Sequence, residues 1–204
     1  MDNGFTKLYL IRHGEVANVN EGVYNGHFDV DLSDRGIRQM KELAEKLSKE
    51  SIKAIYSSDL KRTVIGSKII GERLSLRTKS FKDLRELNYG RWEGLRFEEI
   101  KKRYPEEVEA RNADYVNYRP KDGENIIELR DRVIPKIDRI LRSHRGEDIV
   151  LIAHGGVNRV ILCWALNIDI SNVLRIKQDF AALNIINFYD NTAIVELMNG
   201  ENSD

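Results

Sequence analysis

The chain has 204 residues, of which 33 are Lys or Arg and 33 are Asp or Glu, so its formal charge is zero, and 41% are hydrophobic. Its length falls within the single-domain range of α/β folds, and balanced charge removes the usual electrostatic reason to expect nucleic acid or an acidic membrane as partner. The lone Cys163 cannot form an internal disulfide, no apolar run is long enough to span a bilayer, and MDNGFTKLYLIR lacks the basic start and apolar run of a signal peptide. The expectation is one cytoplasmic domain over 1–204, with Cys163 a small buried hydrophobe in the apolar stretch from Val160 to Trp164.

Lys7–Ile11 reads as a short strand buried on both faces, and Arg12, His13 and Gly14 follow it without a gap. Successive strand residues point to opposite faces, so extended structure must stop here if Arg12 and His13 are to serve one site. Gly14 supplies the permissive backbone for that stop. A guanidinium beside an imidazole at the carboxyl end of a strand suits a phosphate dianion. For an isolated Arg-His-Gly, a salt-bridged surface turn is the simpler reading. However, Asp148–Ala153 is a second strand of the same kind, and it also ends in a histidine and glycines: His154, Gly155, Gly156. Two of only four histidines thus stand at carboxyl ends of apolar strands, which share one edge in a parallel sheet.

Between these points the loop Val16–Asp31 is rich in Asn, Gly and Asp, and holds Asn18, Asn20 and His27, the last read as a solvated loop histidine. Ser33 is expected to cap a helix whose buried stripe is Leu32, Ile37, Met40, Leu43, Ala44 and Leu47. Lys53–Tyr56 is a second strand, and Ser57, Ser58 and Asp59 are expected to open the next helix, with Arg62 near its start and Lys61 solvated. At the amino end of a helix Arg62 would join positive dipole character to a second guanidinium. Leu76–Thr78 is expected to be a third strand. Two carboxylates, Glu86 and Glu93, follow in LRELNYGRWEG, and spacing alone does not choose between them as proton donor.

Residues 97–122 are highly charged, with Pro105 and Pro120, and read as one or two short helices laid over the sheet; a pocket cover and a solvated connector both fit this composition. Asn125–Leu141 is a long amphipathic helix in which Pro135 predicts a kink or break. Gly156–Leu166 is a helix whose free amino-terminal N–H groups face the site. Leu174–Lys177, Ala182–Tyr189 and Ala193–Met198 are expected strands, the last two a hairpin about Asp190 and Asn191.

Taken together, LIRHGE, YNGHFDVDLSDRG, IYSSDLKRT, LRELNYGRWEG, DGENIIELRDRV, IAHGG and QDFAALNIINF resemble, in this order, the histidine phosphatase (phosphoglycerate mutase-like) superfamily, most nearly its small phosphatases, including those acting on alpha-ribazole phosphate. The resemblance implies a three-layer α/β/α fold with a mostly parallel central sheet, and a small helical lid at 97–122. It implies His13, Glu86 and His154 as catalytic residues, with Arg12, Arg62, Asn18 and Gly155 binding substrate. The family's phosphate-holding asparagine falls by spacing on Val19, and Asn18 is taken in its place over Asn20. Glu93, in the WEG piece, is expected to anchor a turn.

The chemistry follows from charge. A phosphate monoester repels anionic nucleophiles, whereas a neutral imidazole avoids part of that repulsion and can form a phosphoenzyme. Arg12, Arg62 and His154 would surround the nonbridging oxygens, and Glu86 would protonate the leaving alkoxide, a task suited to a partly desolvated carboxyl group. No metal and no cofactor are expected, and the partner is a small-molecule phosphate ester on a monomer or homodimer. Two other readings are a phosphoglycerate mutase and a catalytically inactive binding scaffold. The segment from Glu86 to His154 is shorter than in cofactor-dependent mutases and lacks the paired arginines associated with a bisphosphate. A scaffold would need none of the polar positions. Alpha-ribazole 5′-phosphate ranks first among named substrates.

Overall fold

The computed structural model describes residues 4–200. Six strands form one sheet: β1 (Thr6–Arg12), β2 (Ile52–Ser58), β3 (Thr78–Phe81), β4 (Asp148–Ala153), β5 (Leu183–Phe188) and β6 (Ala193–Gly200), in the order β3-β2-β4-β1-β5-β6. The pairs β1–β4, β2–β4 and β2–β3 are parallel, whereas β5 runs antiparallel to β1 and to β6. Central strands are covered on both faces. Leu8 and Leu10 of β1 enter one core with helices α5 (Ile126–Arg142) and α6 (Gly155–Ala165). Tyr9 and Ile11 enter the other with Met40, Leu43, Ala44 and Leu47 of α1 (Asp34–Leu47) and Ile70 of α2 (Lys61–Leu74). The alternation of strand side chains therefore builds the three expected layers. Each buried leucine of the α1 stripe is worth about 2–5 kcal/mol against alanine. Among the described residues no helix is long and apolar enough to cross a membrane.

Several boundaries differ from the sequence expectations, each for a local reason. Ser33 does cap α1, its hydroxyl accepting from Gly36 N–H. Ser57 and Ser58, by contrast, stay in β2, where they pair with Ser80 and Phe81, and α2 begins only at Lys61. The third strand starts at Thr78 because α2 closes with Ser75 at φ 57° and a Leu76 N–H to Gly71 O bond, which uses up Leu76. Pro135 does not break α5: the helix runs through it, with Pro135 exposed and Val133 and Ile137 buried. Leu174–Lys177 is no strand. Asp169 accepts from Ser171 N–H, and a 3-10 turn over Ile170–Arg175 takes the place of a ladder.

Residues 97–122 form α3 (Phe97–Arg103) and α4 (Pro105–Ala113) around a small core of their own, Trp92, Ile100 and Val108. Glu107 accepts from Trp92 Nε1 at 2.8 Å and Tyr118 OH at 3.0 Å, and pairs with Arg91. Tyr24 and Tyr89 pack on this core.

Candidate active site

β1 and β4 are hydrogen-bonded neighbours with Arg12 opposite Ala153, so the residues that follow, His13 and His154, emerge side by side. Their ring centroids are 5.3 Å apart. β2 lies against the other side of β4 and delivers Arg62 on the first turn of α2. The sheet thus assembles from distant segments what the sequence could only place on one edge.

His13 and Arg62 open onto a cavity of about 260 Å³ lined also by Arg12, Asn18, Glu86 and Tyr89, with Tyr24 and Phe180 at its sides. Two larger concavities, about 600 Å³ beside Pro135 and Trp164 and about 830 Å³ beside Phe5 and Tyr189, contain no histidine. Of the sequence-predicted residues, His13, Glu86, Arg12, Arg62 and Asn18 therefore share one cavity. Asn18 is held by a two-way amide pair with Asn25, at 3.0 and 2.8 Å, while Asn20 is exposed.

His13 is 5% exposed and its Nδ1 lies 2.8 Å from its neighbour's carbonyl, Gly14 O. Nδ1–H donating there leaves Nε2 with a free lone pair. Burial first, then Arg62 and Arg12, hold the His13 pKa well below the usual imidazole value. The ring is neutral at neutral pH, the state a nucleophile needs.

The two cavity guanidiniums are held only by neutral acceptors. Arg12 Nη1 donates to Gln178 O at 2.6 Å, its plane lies over Phe180 at 4.0 Å, and its buried Nε has no partner among the described residues. Burial pushes the Arg12 pKa down to about 10, which still leaves the group charged. Arg62, 1% exposed, donates from Nη1 to Phe28 O and from Nη2 to Asn25 O and Gly26 O. Among the described residues, the half-buried Arg85, Arg130 and Arg132 each meet a carboxylate, whereas Arg12, Arg62, Arg111 and Arg159 meet none. Two guanidiniums without a direct carboxylate partner thus converge where an anion would sit, with Glu86 the nearest opposing charge.

Glu86 stands across the cavity, its Oε1 accepting from Leu87 N–H and its Oε2 from Gly156 N–H, both at 2.9 Å. Glu93 points elsewhere: it accepts from the N–H groups of His27, Phe28 and Tyr89, which ties the 25–28 loop to the 89–93 turn. Gly155 opens α6 beneath Arg12. A Cβ there would lie 3.2 Å from Arg159 Nη1, a tight approach, and 3.6 Å from Arg12 Nε, an ordinary contact, so a side chain would crowd Arg159 first.

His154, expected among the phosphate oxygens, stands beside His13 and is tied to the protein at both ring nitrogens. It is fully buried, its Nδ1 accepts from Arg62 Nε at 3.3 Å and its Nε2 lies 2.7 Å from Ser58 Oγ, so both nitrogens are engaged by the protein. His27 is not solvated either; it is half-buried and its Nε2 has no partner among the described residues. Sequence reasoning missed Ser58, taken for a helix opener, and the buried amides Asn158, Gln178 and Asn184 that support the Arg12 segment. Polar residues inside otherwise apolar runs were the available signal. Among the described residues no three His, Cys, Asp or Glu side chains gather as a metal site.

Known proteins resemble the chain in sequence and in fold. The chain is 30% identical over 95% of its length to Phosphoserine phosphatase 1 of Hydrogenobacter thermophilus, covering 92% of that protein. It is 38% identical over 78% of its length to Phosphoglycerate mutase-like protein 4 of Arabidopsis thaliana, covering 70% of that protein. A putative alpha-ribazole-5′-P phosphatase from Escherichia coli shares its fold with a TM-score of 0.90 at 24% identity, over 96% of both chains. A family model matches residues 8–201, and the chain belongs to the histidine phosphatase superfamily (branch 1).

Proposed function

We propose that the protein is a metal-independent phosphomonoesterase that works through a phosphohistidine at His13. Membership of the family makes it a phosphatase; the route and the residue roles are our reading. The observation that carries it is the pairing of a buried neutral imidazole with two guanidiniums that lack carboxylate partners. His13 Nε2 attacks phosphorus, the ester P–O bond breaks, and Glu86 gives the leaving oxygen its proton. Water then attacks the phosphohistidine with Glu86 as base, releasing phosphate and restoring the imidazole. Arg12 and Arg62 follow the charge on the nonbridging oxygens, with Asn18 and the Gly155 turn completing the pocket.

The substrate is a small phosphate ester. Alpha-ribazole 5′-phosphate and phosphoserine, named in relatives and structural neighbours, head the panel to be screened. The tyrosine-rich layer formed by 97–122 reaches the cavity through Tyr24 and Tyr89 and acts as its lid.

The test is a phosphoenzyme trap. Wild-type protein quenched during turnover carries acid-labile, alkali-stable label, and His13→Ala loses both label and turnover. Label surviving in His13→Ala would move the nucleophile elsewhere.

A further inference from the structure

The geometry points to Ser58 as a positioning residue of this pocket: its hydroxyl, backed by Thr63, holds His154 so that His154 aims Arg62. The kinetic consequence rests on the phosphomonoesterase reading, whereas the hydrogen-bond arrangement does not.

Donors and acceptors can be assigned along the whole chain of contacts. Arg62 Nε–H can only donate, and its acceptor is His154 Nδ1 at 3.3 Å. A neutral imidazole that accepts at Nδ1 carries its proton on Nε2, which donates to Ser58 Oγ at 2.7 Å. The Ser58 hydroxyl then donates to Thr63 Oγ1 at 2.6 Å, and Thr63 discharges its own proton onto Leu60 O at 2.9 Å or Ser58 O at 3.0 Å. Every bond runs in one direction, and none of Arg62, His154, Ser58 and Thr63 is more than 1% exposed. A protonated ring would set Nδ1–H against Arg62 Nε–H, donor facing donor, so the arrangement also excludes the imidazolium.

Burial makes this chain costly to break. In a water-free interior a half-satisfied network leaves its remaining polar groups unpaired. Only a small side chain that both accepts and donates suits position 58, and alanine would orphan the Nε2–H. With the Nη groups tied to Phe28, Asn25 and Gly26 carbonyls, one N–H of Arg62 is left for a ligand, and the His154 contact at Nε is the side-chain contact among the four that hold the guanidinium plane. His154 thus acts on the phosphoryl group through Arg62.

The test combines kinetics with spectroscopy on the full chain. Ser58→Ala should lower kcat/KM for p-nitrophenyl phosphate and weaken inhibition by inorganic phosphate by about 10- to 100-fold, the usual cost of removing a group that orients a ligand. In an Arg62→Ala background the same change should cost almost nothing further, because Ser58 works through Arg62. Ser58→Thr, which keeps the hydroxyl, should recover most of the loss. Equal losses in both backgrounds, or no loss in Ser58→Ala, would overturn the assignment. Should Ser58→Ala fail to fold, Thr63→Val removes the next link at nearly constant volume, and the same comparison decides. Imidazole 15N shifts should show His154 as the Nε2–H tautomer at neutral pH. An Nδ1–H tautomer or an imidazolium there overturns the relay even if no ester is ever turned over, so failure of the function and failure of the relay remain distinct.

Discussion

Glu86 Oε2 accepts the Gly156 N–H at 2.9 Å, joining the cavity carboxylate to the first turn of α6 across 70 residues of sequence. That bond, with the one from Leu87 N–H, aims the carboxylate into the cavity rather than at solvent. Glu86→Gln keeps the size but cannot transfer a proton; its amide nitrogen also faces one of the two backbone N–H groups, a loss that both ester types share. For esters with poor alkoxide leaving groups, kcat/KM should fall by roughly two to four orders of magnitude. For p-nitrophenyl phosphate the loss should be much smaller, since nitrophenolate departs with little help. Equal losses on both esters would remove Glu86 from the acid's role.

Glu93 gives the contrasting case. Both of its oxygens are spent on backbone N–H groups of two loops. Glu93→Gln turns one acceptor into a donor facing an N–H, at a cost of about 1–3 kcal/mol. A thermal melt should show the lower stability, and the two ester types should suffer alike. A loss confined to alkoxide esters would transfer the acid's role to Glu93.

The buried histidines make a pH prediction. Burial and the neighbouring Arg62 and Arg12 depress both His13 and His154 well below the usual imidazole pKa. In the unfolded chain both bind protons near pH 6.5. The unfolded state therefore binds more protons below that pH, and stability falls as pH falls. The slope is about 1.4 kcal/mol per pH unit for each histidine until the folded pKa is reached. Melting temperatures measured from pH 8 to pH 5 should drop across this window, and His13→Gln should reduce the slope by about one proton. The acid limb of kcat/KM, corrected for the ester's own ionisation near pH 6, should lie below pH 6.5. A limb at or above that value would contradict a desolvated nucleophile.

Metal removal is the fourth prediction. In the proposed mechanism Arg12 and Arg62 supply the charge that a divalent ion supplies elsewhere in phosphoryl transfer. Turnover should persist in excess EDTA and show no dependence on added magnesium. Activity lost on chelation and restored by one divalent metal would sink the mechanism.

The sequence by itself determined the two central strands and the polar residues at their ends, but not the bounds of β2 and β3 or the 3-10 turn over Ile170–Arg175. Apolar runs ending in Arg12-His13-Gly14 and His154-Gly155-Gly156 read as strands buried on both faces, and their parallel pairing puts both ends on one edge. Ser33 and Asn125 are helix caps, as their local chemistry demands. Tertiary structure decided what local pattern could not. Glu86 and Glu93 are both carboxylates in one irregular stretch, and only the Gly156 N–H on one side and the 25–28 loop on the other separate them. Ser58 has the composition of a helix opener. It became the partner of His154 because β2 pairs with β4, a contact between residues 96 positions apart. Hydrogen-bond partners at such separations are set by packing of the sheet, and no period or propensity in the chain encodes them.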